Sequence, residues 1–263
     1  MTVREALRAA ERDLAAAGVD TPRVDAELLL AHVLGTSRSG VYAQADVDVP
    51  GTWHVLLRRR VEREPLAYVL GGWGFRGLLL KTDARALVPR PETEIVVERC
   101  LELLRGESAP RVLDVGTGTG AIALAVKDEH PDARVTALDT SEEAVALARE
   151  NAARLQLDVD VRQGSFDVAG DGWDLVVSNP PYVTPEEWET LQPEIREWEP
   201  RAALVGVGLH EQLARVAKTR LLVLEVGACQ ARDVSETLTS LGYVDVRVTP
   251  DLAGVLRVVE GRR

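Results

Sequence analysis

From Arg111 onward, short apolar runs alternate with stretches whose apolar residues recur at helical spacing. Val112 to Val115, Val135 to Asp139, Val159 to Arg162, Leu175 to Ser178 and Leu221 to Val226 read as strands. Ala121 to Glu129 and Glu142 to Leu155 read as intervening helices, the second opened by a capping box over Thr140-Ser141-Glu142-Glu143. Alternation of this kind predicts an α/β fold with a doubly wound, mostly parallel sheet. Val244 to Val248 and Val255 to Val259 leave no room for a crossover helix between them, so the sheet should close with an antiparallel hairpin and reach seven strands.

The first part of the chain is helical instead. Thr2-Val3-Arg4-Glu5 is a capping box, and apolar spacing runs through Leu7, Ala10 and Leu14 to a stop at Gly18. A second helix starts at Thr21-Pro22 and ends before Gly35, and a third spans Thr52 to Glu64. Tyr68-Val69-Leu70 and Leu78-Leu79-Leu80 bracket a glycine-rich stretch and predict a hairpin with a loose turn. The expected organisation is a small helical domain with a connecting hairpin over residues 1–85, then the α/β domain over 86–263.

Composition narrows the class. A chain of 263 residues with 46% hydrophobic and 28% charged residues is an ordinary globular protein, with length for one large domain and a small one. No apolar run has membrane-spanning length and the start is no secretion signal, so a cytoplasmic protein is expected. The two cysteines, Cys100 and Cys229, read as buried free thiols, and the four scattered histidines show no metal-ligand spacing. The net charge of −11 is uneven, +1 over residues 1–88 and −12 over residues 89–263; the acidic second part is a poor grip on phosphates and weighs against stable nucleic-acid binding. Arg58-Arg59-Arg60 with Arg63 is the one basic cluster, read as a solvated helix face. A monomer is the default.

Two segments carry chemistry. Asp114-Val115-Gly116-Thr117-Gly118-Thr119-Gly120 lies where the first strand turns into the first helix. Glycines there allow close backbone approach of a ligand to helix N–H groups. Asp139 ends the second strand and is placed to accept from two ribose hydroxyls. That loop also satisfies the dinucleotide pattern, so on its own it admits a nicotinamide cofactor. Asn179-Pro180-Pro181-Tyr182 ends the fourth strand, where consecutive prolines halt it. Asn179 and the Pro180 carbonyl suit the two N–H groups of a planar nitrogen, with Pro181 beside them and Tyr182 packing on its flat face. Hydride transfer has no use for such a set, whereas methyl transfer to a planar nitrogen does. Phe166 offers a face for an adenine, or packs in the core.

With these motifs in place, the chain resembles the class I S-adenosylmethionine-dependent methyltransferases, which have a Rossmann-like fold. More narrowly it resembles the HemK/PrmC family, which methylates the glutamine side-chain amide in the GGQ motif of peptide chain release factors. The likeness runs through Glu64 to Gly71, Val88-Pro89-Arg90-Pro91-Glu92-Thr93-Glu94, the glycine loop, Asn179 to Tyr182, Glu199-Pro200, Leu224-Glu225-Val226-Gly227 and Asp251-Leu252-Ala253-Gly254. Relatives carry a longer loop where Leu204 to Leu209 stands here. The resemblance implies that Gly116, Thr117, Gly118, Thr119 and Gly120 hold the methionine end of S-adenosylmethionine, Asp139 its ribose and Phe166 its adenine, with Asn179 beside the reacting methyl. It implies a release factor as partner, and Arg90 to Glu94 closing over the pocket. Asn179, Pro180 and Tyr182 are the expected catalytic set, and no metal is expected. An adenine amino-methyltransferase acting on DNA or RNA would use the same acceptors, and a non-catalytic cofactor-binding protein is a further alternative.

Overall fold

Thr2 accepts the Glu5 N–H at 3.3 Å while the Glu5 carboxylate accepts the Thr2 N–H at 2.8 Å, so α1 (Val3–Ala16) begins with both groups satisfied. α2 (Pro22–Leu34) stops at Gly35, whose φ of +60° suits a residue without Cβ. α3 (Arg38–Ala43), α4 (Trp53–Val61) and α5 (Leu66–Leu70) complete this helical set around a core that includes Leu7, Leu14, Leu29, Leu30 and Trp53. The computed structural model describes residues 1–170 and 172–263. Met1–Gly72 and Gln192–Trp198 together form one unit, and Trp73–Leu191 with Glu199–Arg263 form the other.

The basic cluster is largely turned inward, unlike the solvated face its sequence suggested. Arg60 donates to Asp25 at 2.7 Å and pairs with Glu194 at 2.8 Å, with all three side chains buried. Arg63 grips Glu194 through two nitrogens and donates to the Ala17 carbonyl at 3.0 Å. Arg59 pairs with Glu64 and donates to the carbonyls of Tyr68 and Val69. Only Arg58 of the four is exposed.

Tyr68 to Leu70 is α5 rather than a strand. Pro65 starts this single turn, Gly71 ends it at φ +69°, and Arg59 satisfies two carbonyls that the short helix leaves open. The hairpin is formed instead by β1 (Trp73–Phe75) and β2 (Leu78–Leu80), paired Phe75 to Leu78 around a tight two-residue turn. Arg76 in that turn has φ +49°, and its N–H is held by Glu94 at 2.8 Å. Phe75, Leu78 and Leu80 share a core with Val96, Val97 and Leu104, so the hairpin belongs to the second unit and the division falls ahead of residue 85.

The second unit continues with α6 (Glu94–Leu103), β3 (Arg111–Val115), α7 (Ala121–Glu129), β4 (Arg134–Asp139), α8 (Glu142–Leu155), β5 (Asp160–Gln163) and β6 (Leu175–Ser178). The N-cap of α8 is Ser141, one residue later than the capping box placed it. Asp139 accepts the Ser141 N–H at 3.0 Å, which sets Ser141 to accept from Ala144. After α9 (Pro185–Trp188) and α10 (Pro193–Trp198, part of the first unit) come α11 (Leu209–Val216), β7 (Leu221–Glu225), α12 (Ala231–Ser240), β8 (Val244–Pro250) and β9 (Leu256–Arg262). The seven-stranded sheet has the order β5-β4-β3-β6-β7-β9-β8. Its first five strands are parallel, and β9 runs antiparallel to both β7 and β8.

Two apolar layers cover the sheet. Leu124, Val126, Val145 and Ala148 lie on one side, and Leu213, Ala214, Val234 and Leu238 on the other. Full burial of each Leu or Val is worth about 1.5–3 kcal/mol over exposure. Cys100 is buried in α6, but Cys229 is exposed, because it sits on the turn leading into α12 rather than on the covered helix face. No helix among the described residues is long and apolar enough to cross a membrane.

Arg60→Met should destabilise the protein by about 3–5 kcal/mol, since it leaves Asp25 and Glu194 buried without that counter-charge. Urea denaturation followed by circular dichroism measures this, and a change below about 1 kcal/mol would show the ion cluster to be dispensable.

Candidate active site

Strand register builds the site. Val115 pairs with Leu138 and with Ser178, and Ser178 pairs with Leu224. The next residue of each strand or its continuation is Asp139, Gly116, Asn179 and Glu225, so these four form one row along the carboxyl edge. β3 and β6 are also where the chain reverses its direction of travel across the sheet, the place where open α/β sheets bind ligands. The Ser178 hydroxyl, donating to the Val115 carbonyl at 2.7 Å, locks the two strands together at that level.

A cavity of about 390 Å³ opens above this edge. Gly116, Thr117, Gly118, Thr119, Asp139, Phe166, Asn179, Pro180 and Pro181 all line it. Gly120 and Tyr182 do not. Gly120 has φ +87°, and a Cβ there would meet Leu124 at 2.9 Å, so its task is to let α7 start against the sheet. Gly116 and Gly118 have φ +74° and +56°; a Cβ on Gly116 would meet nothing within 4 Å, and one on Gly118 only Ala86 at 3.9 Å. That open backbone is a cradle for a ligand.

Asp139 accepts the Gly118 N–H at 2.9 Å on one oxygen and the Ser141 N–H at 3.0 Å on the other. A carboxylate has about four lone-pair sites, so each oxygen keeps one for a diol. Asp114 anchors the loop from beneath, accepting from the Thr117 hydroxyl at 2.6 Å and the Ala123 N–H at 3.2 Å. Its other oxygen is buried with no partner among the described residues, and burial pushes the carboxyl up to about 7. Phe166 lines the cavity and also packs on the core, which leaves an aromatic face on the cavity side. Backbone cradle, diol acceptor and aromatic wall together fit S-adenosylmethionine.

Arg90 and Thr93 line the cavity as well, while Glu94 is drawn off to the Arg76 N–H. Glu199 holds this wall in place, taking Arg90 at 2.6 Å and the Val88 N–H at 3.4 Å, with burial raising its carboxyl. Behind the Asn-Pro-Pro-Tyr segment, the Val183 N–H donates to the Leu204 carbonyl at 2.9 Å and the Gly206 N–H to the Val183 carbonyl at 3.1 Å. A Cβ on Gly206 would fall 2.8 Å from the Pro181 carbonyl oxygen and 2.9 Å from Leu209. The short loop from Leu204 to Leu209 thus sets the backbone of the motif.

Asn179 donates through Nδ2 to the Thr93 hydroxyl oxygen at 3.3 Å, and its Oδ1 accepts nothing from the described residues. The Thr93 hydroxyl in turn donates to Glu225 at 2.7 Å, and the Tyr182 hydroxyl donates to the other Glu225 oxygen at 3.3 Å. Burial and the neighbouring Glu225 carboxylate push the Tyr182 phenol up. Its ring lies nearly parallel to that of His210 at 6.4 Å, and the His210 Nε2 is 2.8 Å from the Glu225 carbonyl. Tyr182 is therefore a member of a buried network rather than part of the cavity wall. Thr93 and Glu225 were not singled out as site residues in the sequence. An acid ending the apolar run Leu221 to Leu224 was the available signal, since a buried carboxylate demands partners.

The description "PrmC N-terminal domain" matches residues 5–71, and "Methyltransferase small domain" matches residues 93–195. A release factor glutamine methyltransferase of Deinococcus radiodurans is 41% identical, with 100% of this chain and 99% of that one covered. The enzyme of the same name from Caulobacter vibrioides is 38% identical over 99% of this chain and 96% of its own. Among solved structures, the hMettl16 catalytic domain in complex with MAT2A 3'UTR hairpin 6 shares the fold at a TM-score of 0.55 and 15% identity, covering 71% of this chain and 76% of that one.

The buried acids make stability pH-dependent. Asp114 and Glu225 are both pushed up to about 7, chiefly by burial, so just below neutrality the folded state binds more protons than the unfolded state. Their penalty is absent below the ordinary carboxyl range, grows as pH rises from there, and is complete once pH has passed about 7. Lowering the pH from 8.5 to 6.5 should therefore raise stability by about 1–2 kcal/mol, or roughly 4 °C in Tm. Below that window the buried His210, held neutral by burial, works in the opposite sense. Differential scanning fluorimetry that shows Tm falling on acidification from 8.5 to 6.5 would contradict this assignment.

Proposed function

Since this chain belongs to the release factor glutamine methyltransferase family, we propose that Asn179 and the Pro180 carbonyl hold the substrate glutamine amide at the mouth of its cofactor cavity. The enzyme transfers a methyl group from S-adenosylmethionine to the side-chain amide nitrogen of a glutamine in a peptide chain release factor. The observation that supports our assignment most is the uncommitted Asn179 Oδ1, on a cavity-lining residue one strand from Gly116.

When bound, S-adenosylmethionine supplies an electrophilic methyl group. Gly116 to Thr119 and Asp139 would hold it, with Phe166 beside its adenine and Arg90 in the wall. An amide nitrogen is a weak nucleophile because its lone pair is delocalised into the carbonyl. Asn179 Oδ1 and the Pro180 carbonyl each accept one of its N–H groups and fix the nitrogen at near-attack distance, about 3–3.5 Å. As positive charge grows on nitrogen, both acceptors bind its N–H groups more tightly, which lowers the barrier. The methylated nitrogen then releases a proton to solvent. Pro180 and Pro181 stiffen the carbonyls that perform this task. Tyr182 supports the site from behind, through Glu225.

The helical unit is assigned the docking of the release factor, and the glutamine of its GGQ motif is the methyl acceptor. The enzyme acts in the cytoplasm as a monomer, and the acidic second unit selects against nucleic acid as substrate. Incubation with labelled S-adenosylmethionine should put label into a release factor, and none into the factor whose GGQ glutamine is replaced. Label in oligonucleotides alone would overturn the assignment. Asn179→Ala should lower kcat by about 10²–10³-fold, with cofactor affinity little changed in isothermal titration. Asp139→Ala should weaken cofactor binding by roughly 10-fold or more, and unchanged affinity would remove Asp139 from the cofactor site.

A further inference from the structure

We propose that Thr93 and Glu225 are positioning residues that decide which end of the Asn179 amide faces the cavity. The proposal rests on the reading of Asn179 as the amide acceptor and goes one layer behind it.

An asparagine amide can turn over at little steric cost, because its oxygen and nitrogen have nearly the same shape. Turned one way, Asn179 offers an acceptor to the substrate N–H. Turned the other, it offers a donor and cannot hold the substrate amide by its nitrogen. Something must choose, and the hydroxyl of Thr93 is the group in contact. That hydroxyl has one proton. Glu225, 2.7 Å away, takes it when ionised. The Thr93 oxygen then has only lone pairs left for Asn179, which must present Nδ2 to it and Oδ1 to the cavity. The carboxylate thus selects the productive amide orientation through one intervening hydroxyl.

Protonated Glu225 reverses the logic. Its O–H can donate to Thr93, whose own proton then points at Asn179 and draws in the amide oxygen. Glu225 is buried, and burial raises its carboxyl to about 7, so both forms are accessible near neutrality. The groups facing it come from several elements. Thr93 and Glu92 precede α6, Tyr182 follows β6, His210 on α11 binds the Glu225 carbonyl, and Arg257 on β9 favours the charged form. Arg257 is itself held by Asp251 at 3.1 Å, and Asp251 accepts the N–H groups of Ala253 and Val255 to build the β8–β9 turn. The Glu225 carboxylate of the Leu224 to Gly227 motif is thus bonded by Thr93 from the Arg90 to Glu94 motif and by Tyr182 from the Asn179 to Tyr182 motif, and Asp251 of the Asp251 to Gly254 motif holds the Arg257 that favours its charged form.

The test is steady-state methylation of a release factor by the full-length enzyme, with the affinity for S-adenosylhomocysteine measured in parallel. Thr93→Val keeps the shape and deletes the hydroxyl, and should lower kcat by about 10-fold or more while KM and S-adenosylhomocysteine affinity stay within about 2-fold. Thr93→Ser should restore kcat. In the wild type, kcat should fall as pH drops through about 7, and Glu225→Gln, which cannot titrate, should lose that acid limb. Wild-type kcat in Thr93→Val, or an acid limb that persists in Glu225→Gln, would overturn the proposal even if Asn179→Ala is inactive. A fully active Asn179→Ala would instead remove the reading beneath it.

Discussion

Parallel pairing of β3 with β6, in the register that sets Val115 beside Ser178, is the constraint on which the site depends. A slip of one residue would turn every side chain of β6 to the opposite face of the sheet. Asn179 would then leave the row it shares with Gly116, Asp139 and Glu225. The register is fixed on both sides by continuous apolar packing of Val112, Leu113, Leu175, Val176 and Val177, and at its end by the Ser178 hydroxyl. The cavity edge is thus built on strands whose side chains are almost wholly buried.

The surroundings of that row concentrate electrostatic cost. Asp114, Glu199 and Glu225 are all buried carboxyls raised by desolvation, and each is held by a hydroxyl, an N–H or a guanidinium rather than by full neutralisation. A core optimised for stability would have no reason to carry three of them. They are tolerable because the surrounding apolar layers supply the stabilisation. In exchange, Asp114 holds the glycine loop, Glu199 holds the Arg90 wall and Glu225 holds the Thr93 hydroxyl that Asn179 contacts. The first unit uses charge differently, tying Arg60 and Arg63 to Glu194 inside its own framework.

Much of this was legible in the chain. Apolar runs located the five parallel strands to within a residue or two, because β3, β4, β6 and β7 are buried along most of their length, while β5 at the sheet edge buries only Val161. The glycine loop and Asp139 were legible as cavity-edge positions because a tight strand-to-helix turn needs glycines and an acid at a strand end stands out against the apolar run before it. The hairpin was misplaced because Tyr68 to Leu70 is apolar and β-prone, while its helical turn is enforced by Arg59 from another helix. The Arg58 to Arg63 cluster misled for the same reason, its partners Asp25 and Glu194 lying far away in sequence. Thr93 and Tyr182 likewise take their roles from Glu225, 132 and 43 residues distant, and no local pattern encodes such a meeting.

Gly206 shows how narrow the margin for change is beside the motif. The smallest side chain there would compete for space with the Pro181 carbonyl on one side and with Leu209, the first residue of α11, on the other. The absence of one carbon atom at residue 206 is therefore what lets the Pro181 backbone and the start of α11 lie side by side.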